Sequence, residues 1–93
     1  MLEVKITENE ILLIGRFDAS QEKRALEIFR EINESHIVNF KKLEYISSAG
    51  LSVLLETQKR LEQHGHELTL TKMNDHIHDV FKFAGFDTIF TIK

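Results

Sequence analysis

Hydrophobic residues along the chain change their period several times, and each change marks an element. Leu2, Val4 and Ile6 alternate with Glu3, Lys5 and Thr7, the period-two pattern of a strand with one face on a core. After the polar break Glu8-Asn9-Glu10, Ile11-Leu12-Leu13-Ile14 is apolar without interruption, which predicts a second strand covered on both faces. The break is short enough for the two strands to form a hairpin, and Gly15-Arg16-Phe17-Asp18 closes it. Asp18 stands where a helix should begin, with Gln21 three residues on. That is capping-box spacing, in which each side chain satisfies a free N–H of the other's backbone. Ala25, Ile28, Phe29 and Ile32 then recur at i, i+3, i+4 and i+7, and Leu26 widens the stripe, so the period is now that of an amphipathic helix. Asn33 and Ser35 end it.

His36 to Phe40 reads as a short central strand and Lys41-Lys42 as a solvated turn. Leu43, Tyr45 and Ile46 lead the chain back toward the core and into Ser47-Ser48. Beyond them Leu51, Leu54, Leu55 and Leu61 share a helix face, while Glu56, Lys59, Arg60 and Gln63 look outward. Glu56 and Arg60 have the spacing of an ion pair, worth roughly 0.2–0.5 kcal/mol. Gly65 after His64 is the expected left-handed stop. Leu68 and Leu70, set among polar neighbours, give another strand. Asn74 or Asp75 can cap a third helix with Ile77, Val80, Phe81 and Ala84 on its inner face. Gly85 stops it, Phe86 packs back on its last turn, and Ile89 to Ile92 form a terminal strand. The order β-β-α-β-α-β-α-β predicts an α/β fold: a single domain over residues 1–93, with a mixed sheet, parallel at its centre, packed against helices.

Composition narrows what such a domain could do. The chain has 93 residues, no cysteine, no proline and a formal net charge of -3. Without cysteine there is neither a disulfide framework nor a thiolate metal site. Dispersed Lys and Arg in an acidic chain disfavour nucleic acid as a partner, because that affinity rests on clustered cations. The longest apolar runs are too short to insert in a membrane and the N-terminus has no signal-peptide pattern, so a cytoplasmic protein is expected. His64 and His66, and His76 and His78, sit at i, i+2, which does not share a helix face. No metal or other cofactor is therefore expected. Ser, His and Asp occur together without a nucleophile elbow or an evident general base, so the chain is not expected to be an enzyme.

Chemistry concentrates at Ser47-Ser48, where a strand hands over to a helix. The first N–H groups of a helix lack internal partners and carry partial positive charge. A serine hydroxyl there can cap the helix, and a phosphate on it would face the positive end while showing new charge to a docked partner. Phe83, off the buried stripe of the third helix, is free to face a partner.

Three segments together resemble the STAS domain, the fold of bacterial anti-sigma factor antagonists. Gly15-Arg16-Phe17-Asp18 resembles the family's Gly-x-Leu-Asp at the end of the second strand. Leu43-Glu44-Tyr45-Ile46-Ser47-Ser48-Ala49-Gly50-Leu51 resembles its apolar-Asp-Ser-Ser/Thr-Gly-Leu phosphorylation motif. Val80-Phe81-Lys82-Phe83-Ala84-Gly85-Phe86 resembles its Leu-Phe-x-apolar-small-Gly-Leu. The resemblance implies that Ser48 is the serine phosphorylated by an anti-sigma factor that is itself a GHKL-type kinase, and that Asp18 lies near it. It also implies that the unphosphorylated form binds that kinase and releases a sigma factor, that phosphorylation breaks the complex, and that a PP2C-type phosphatase restores it. Asp18, Ser47, Ser48, Ala49, Gly50 and Ser52 are the expected docking surface. Ser47 stands where the family has aspartate, which makes it a second candidate acceptor. The same resemblance admits an unphosphorylated accessory subunit of an ABC-type membrane transporter. A small-ligand sensor with a cleft near Asp18 and Ser48 is a third reading.

Overall fold

The hairpin forms as expected and seeds a single sheet. In the computed structural model, which describes residues 1–93, β1 (Leu2–Ile6) runs antiparallel to β2 (Glu10–Phe17), with Leu2 opposite Gly15 and Ile6 opposite Ile11. Then β3 (His36–Ile46), β4 (Leu68–Thr71) and β5 (Thr91–Ile92) add in chain order, each parallel to the strand before it. Three helices make the crossovers: α1 (Glu22–Phe29), reached through a 3-10 turn at Ala19–Gln21, then α2 (Ser48–Glu62) and α3 (Asp75–Phe83).

Strand order explains where the helices lie. Parallel strands that advance across a sheet in one direction, joined by right-handed crossovers, must put every crossover on the same face. A single buried cluster agrees: Ile11, Leu13, Val38, Phe40, Leu68 and Leu70 of the sheet meet Ala25, Phe29, Leu54, Leu61, Ile77 and Phe81 of the helices. The opposite face carries Leu12, Ile14, Ile37, Thr69 and Thr71, all at least partly exposed. β2 is therefore covered on one face, not two as its apolar run suggests.

Lys41-Lys42 does not turn the chain. β3 runs through it for 11 residues, and its register with β2 slips between Leu12 and Ile14 and again between Gly15 and Arg16. At each slip β3 holds one extra residue, so both are bulges. Asn39 supports the first, its Oδ1 accepting from Lys41 N–H at 2.8 Å. The bulge breaks the in–out alternation, leaving Lys41 and Lys42 both exposed between buried Phe40 and Leu43. Two polar residues in a row imitate a turn in sequence for that reason.

Arg60 also departs from its expected role. The guanidinium leaves Glu56 and reaches across to the end of α1, donating to Phe29 O at 2.9 Å and Ile32 O at 2.8 Å. The last carbonyls of a helix have no internal partner, and a cation there also opposes the helix dipole. Glu56 instead lies 3.9 Å from Arg30, the residue that caps the end of α1, between exposed side chains. α2 buries more than its leucine stripe: Thr57 and Gln58 are inside as well, and Gln58 Oε1 accepts from Leu68 N–H at 2.8 Å, fixing the start of β4.

The C-terminal strand is shorter than its apolar run. Phe86–Thr88 forms a 3-10 turn, and only Thr91–Ile92 pairs with β4. Phe90 is drawn inward, edge-on to Phe81 with ring centroids 5.9 Å apart. Phe86 packs on Phe81 as expected, after Gly85 in the left-handed conformation. Ala84, assigned to the inner face of α3, is exposed, whereas Ile77 and Phe81 are buried.

Arg60→Ala removes the charged donor shared by Ile32 O and Phe29 O, the latter also held by Ile32 N–H at 3.0 Å, a loss of about 1–3 kcal/mol. Urea denaturation should show that loss, while Glu56→Ala, which removes only an exposed pair, should stay within about 0.5 kcal/mol of the parent.

Candidate functional site

The ends of β2 and β3 lie side by side, and the site grows from that pairing. Phe17 is registered with Ile46, and Ser47 N–H donates to Phe17 O at 2.9 Å. The chain then leaves β2 through Asp18 and β3 through Ser47, so the two loops begin as neighbours.

Ser47 sits in extended backbone, and its Oγ accepts from Gly50 N–H at 3.3 Å, which makes it the N-cap of α2. Its carbonyl accepts the first intrahelical bond, from Leu51 N–H at 3.0 Å. Ser48 is the first residue of the helix and is exposed. The two serines thus divide the work: the half-buried one holds the helix start and the exposed one leaves its hydroxyl to solvent.

Gly50 is present because the helix comes too close for any side chain. A Cβ there would lie 2.7 Å from Ile46 Cγ1 and 3.0 Å from Phe17 Cγ, inside normal contact distance. Gly50 is itself buried, so its contribution to a docking surface is to seat α2 on the strand ends. Ser52 is exposed, and Asp18 and Ala49 are half-buried. All six residues expected at the site lie in the two loops and the first turns that follow them.

Asp18 closes the capping box expected of it. Its Oδ1 accepts from Ser20 N–H at 3.0 Å and from the Ser20 hydroxyl, while Asp18 N–H donates to Gln21 Oε1 at 3.1 Å. The Ser20 side-chain hydrogen bond, followed by the backbone one, holds the carboxyl below its ordinary value of 3.8; Arg16 and the N-terminal ammonium act in the same direction. Gly15, at φ +98°, permits this approach of the N-terminus, since a Cβ would sit 2.3 Å from Met1 O.

One pair at this end escapes sequence inspection. The Arg16 guanidinium stacks over the Tyr45 ring, 4.4 Å from its centroid, a cation–π contact. Only the second bulge brings the two into register, and nothing local announces it. The surface hollows lie elsewhere. The roomiest, about 370 Å³, is lined by Asn33, Arg60, Leu61, His64 and His66, and none includes Asp18 or Ser48. The small-ligand reading therefore gains no support from these hollows. No helix is long and apolar enough to cross a membrane.

A sheet wound in one direction, with helices on one face and a serine-led helix after its long central strand, defines a small α/β module built around that junction. The STAS domain model matches residues 7–93, and the chain belongs to that family. BtrV of Bordetella bronchiseptica, which bears the name of an anti-sigma factor antagonist, is 34% identical over 77 residues; the match covers 80% of this chain and 66% of BtrV, just under two thirds of its length. Among solved structures, tm1081 of Thermotoga maritima matches 98% of this chain and 84% of its own at a TM-score of 0.81 and 19% identity. The Bacillus cell fate determinant SpoIIAA in phosphorylated form matches 100% of this chain and 91% of its own, with a TM-score of 0.71 and 17% identity. These likenesses show the anti-sigma factor antagonist fold.

Gly50→Ala should cost about 1–3 kcal/mol through overpacking against Phe17 and Ile46, read as a lower thermal midpoint. Asp18 gives a pH signature. Its folded carboxyl titrates below the unfolded one, so its contribution is complete above the ordinary value and fades as pH falls through the lowered folded value. The stability gap between the parent and Asp18→Asn, followed by urea denaturation from about pH 6 to about pH 2.5, should shrink over that acid range alone.

Proposed function

We propose that the chain is a regulatory binding module, not an enzyme, and acts as an anti-sigma factor antagonist: unphosphorylated, it binds an anti-sigma factor of the GHKL kinase type, and phosphorylation of Ser48 releases it. The observation that carries this reading is the division between the two serines. Ser47 is occupied as the cap of α2, and Ser48, one residue on, is exposed with its hydroxyl clear of that bond. Kinase access and helix integrity therefore do not compete, and Ser48 is favoured over Ser47 as acceptor.

The energetics suit a switch that works by charge. A phosphoserine adds about -1.5 to -2 charges. At the first position of α2 that charge faces free N–H groups and the positive end of the helix, so the folded state accommodates it. On the outer side it lies beside the Asp18 loop, and a partner packed there meets new like charge and a desolvation cost. About 1.4 kcal/mol is tenfold in affinity, so a few kcal/mol separates the complex. SpoIIAA has been solved in both states, and this chain matches each at a TM-score of 0.71, which suits a switch without refolding. A PP2C-type phosphatase would reset it.

Affinity capture followed by incubation with ATP and mass mapping tests the reading. Recovery of a GHKL-type kinase and a phosphate on Ser48, lost in Ser48→Ala, is the expected result. Ser48→Asp should weaken kinase binding by about tenfold or more while shifting the thermal midpoint little. Capture of an ABC ATPase with no phosphate on the chain would replace this reading by that of a transporter subunit.

A further inference from the structure

The free edge of the sheet at β1 has a pattern that fits one partner better than any other. β1 pairs only with β2. Arg16 N–H bonds to Met1 O at 3.0 Å and Thr7 N–H to Glu10 O at 2.8 Å, so the odd-numbered residues of β1 turn their backbone groups toward β2. In an antiparallel ladder those groups alternate. The N–H and C=O of Leu2, Val4 and Ile6 therefore point outward along the edge. Glu3 and Lys5 stand on the open face of the sheet, 3.7 Å apart and each about 60% exposed, at 60% and 62% respectively. Ile6 is 44% exposed beside them.

We propose that this edge pairs, antiparallel, with the β1 edge of a second copy of the chain about a two-fold axis at Val4. Backbone parity restricts the register, because only even-numbered residues offer groups to the edge, so Leu2, Val4 and Ile6 must face one another. Three alignments satisfy this with more than one such pair; Leu2 opposite Leu2 or Ile6 opposite Ile6 keeps a single one. Placing Leu2 opposite Val4 of the other copy sets Glu3 against Glu3, and placing Val4 opposite Ile6 sets Lys5 against Lys5. Placing Val4 opposite Val4 uses the whole edge and sets Glu3 of each copy against Lys5 of the other. Directly opposed unlike charges stabilise a strand pair and like charges destabilise it, so charge and parity select the same register. The exposed Ile6 then faces Leu2 across the axis, and the four charges alternate in sign on the open face.

Arg24 bounds the ladder. Its guanidinium donates to Leu2 O at 2.8 Å, so that carbonyl must accept a second bond in the pair, while the groups of Val4 and Ile6 and the Leu2 N–H are unencumbered. Two five-residue strands bury less than the ~1,200 Å² of standard interfaces. The dimer is accordingly a weak one, forming at high concentration or when copies are tethered together.

Sedimentation equilibrium of the full chain, from micromolar to about millimolar concentration, tests the proposal through a charge-swap cycle. Glu3→Lys alone or Lys5→Glu alone opposes like charges at both symmetric positions and should raise the dimer dissociation constant about tenfold. The double swap restores unlike pairs and should return it close to the parent value. Val4→Pro removes an outward donor that β2 does not use, which edge strands tolerate; it should abolish dimerisation, whereas Val4→Ala, which loses the same packing against the core but keeps the donor, should leave it in place. A monomer throughout the concentration range would overturn the proposal. So would a dimer indifferent to Val4→Pro, or a double swap no better than the single ones.

Discussion

The hydrogen bond from Ser47 N–H to Phe17 O ties the exit of β3 to the exit of β2, and the site depends on that tie. It sets Ser47 in extended backbone, from which its hydroxyl can cap α2, and it brings Asp18 alongside. Gly50 completes the arrangement from the other direction. Because it has no side chain, the first turn of α2 rests directly on Phe17 and Ile46. A helix held further off would lift its first turn, and Ser48 with it, away from the Asp18 loop. Packing in the core and exposure at the surface are thus set by the same few contacts.

The serine pair shows how a family pattern can be altered without losing its mechanics. Ser47 stands where the family has aspartate, and an aspartate is a good N-cap. Serine caps equally well, so the geometry of the junction survives the change. What changes is electrostatic. The loop has one fixed negative charge fewer, and a phosphate on Ser48 would then alter its charge from a more neutral start.

Elements set by local chemistry were legible in the sequence: the hairpin, the Asp18 capping box, the Asn74 cap, the glycine stops at 65 and 85, and most of the helices' inner stripes, Ala84, Thr57 and Gln58 excepted. The end-to-end order of elements followed from them, as did the location of the serines at a strand–helix junction. What was not legible depends on register between distant strands. The β3 bulges imitate a turn, the Arg16–Tyr45 stack exists only after the second of them, and Arg60 finds carbonyls rather than the carboxylate one turn away. The uncovered face of β2 follows from the direction of winding, a property of the whole topology that no single apolar run reveals. At the site, the resemblance singled out Ser48 as acceptor, but which serine caps α2 was not legible, since one residue decides which hydroxyl turns inward.

The bulges lengthen β3 well past its neighbour. β4 ends opposite Asn39, whereas β3 continues to Ile46 with only β2 beside it. The Ser47–Ser48 corner is therefore carried on a two-stranded promontory ahead of the aromatic cluster of Phe40, Phe81, Phe86 and Phe90. The corner and the aromatic cluster thus occupy different halves of the sheet. Substitutions around those rings would change packing at the far half of the sheet, while the contacts of Gly50 with Phe17 and Ile46 that seat the corner stay as they are.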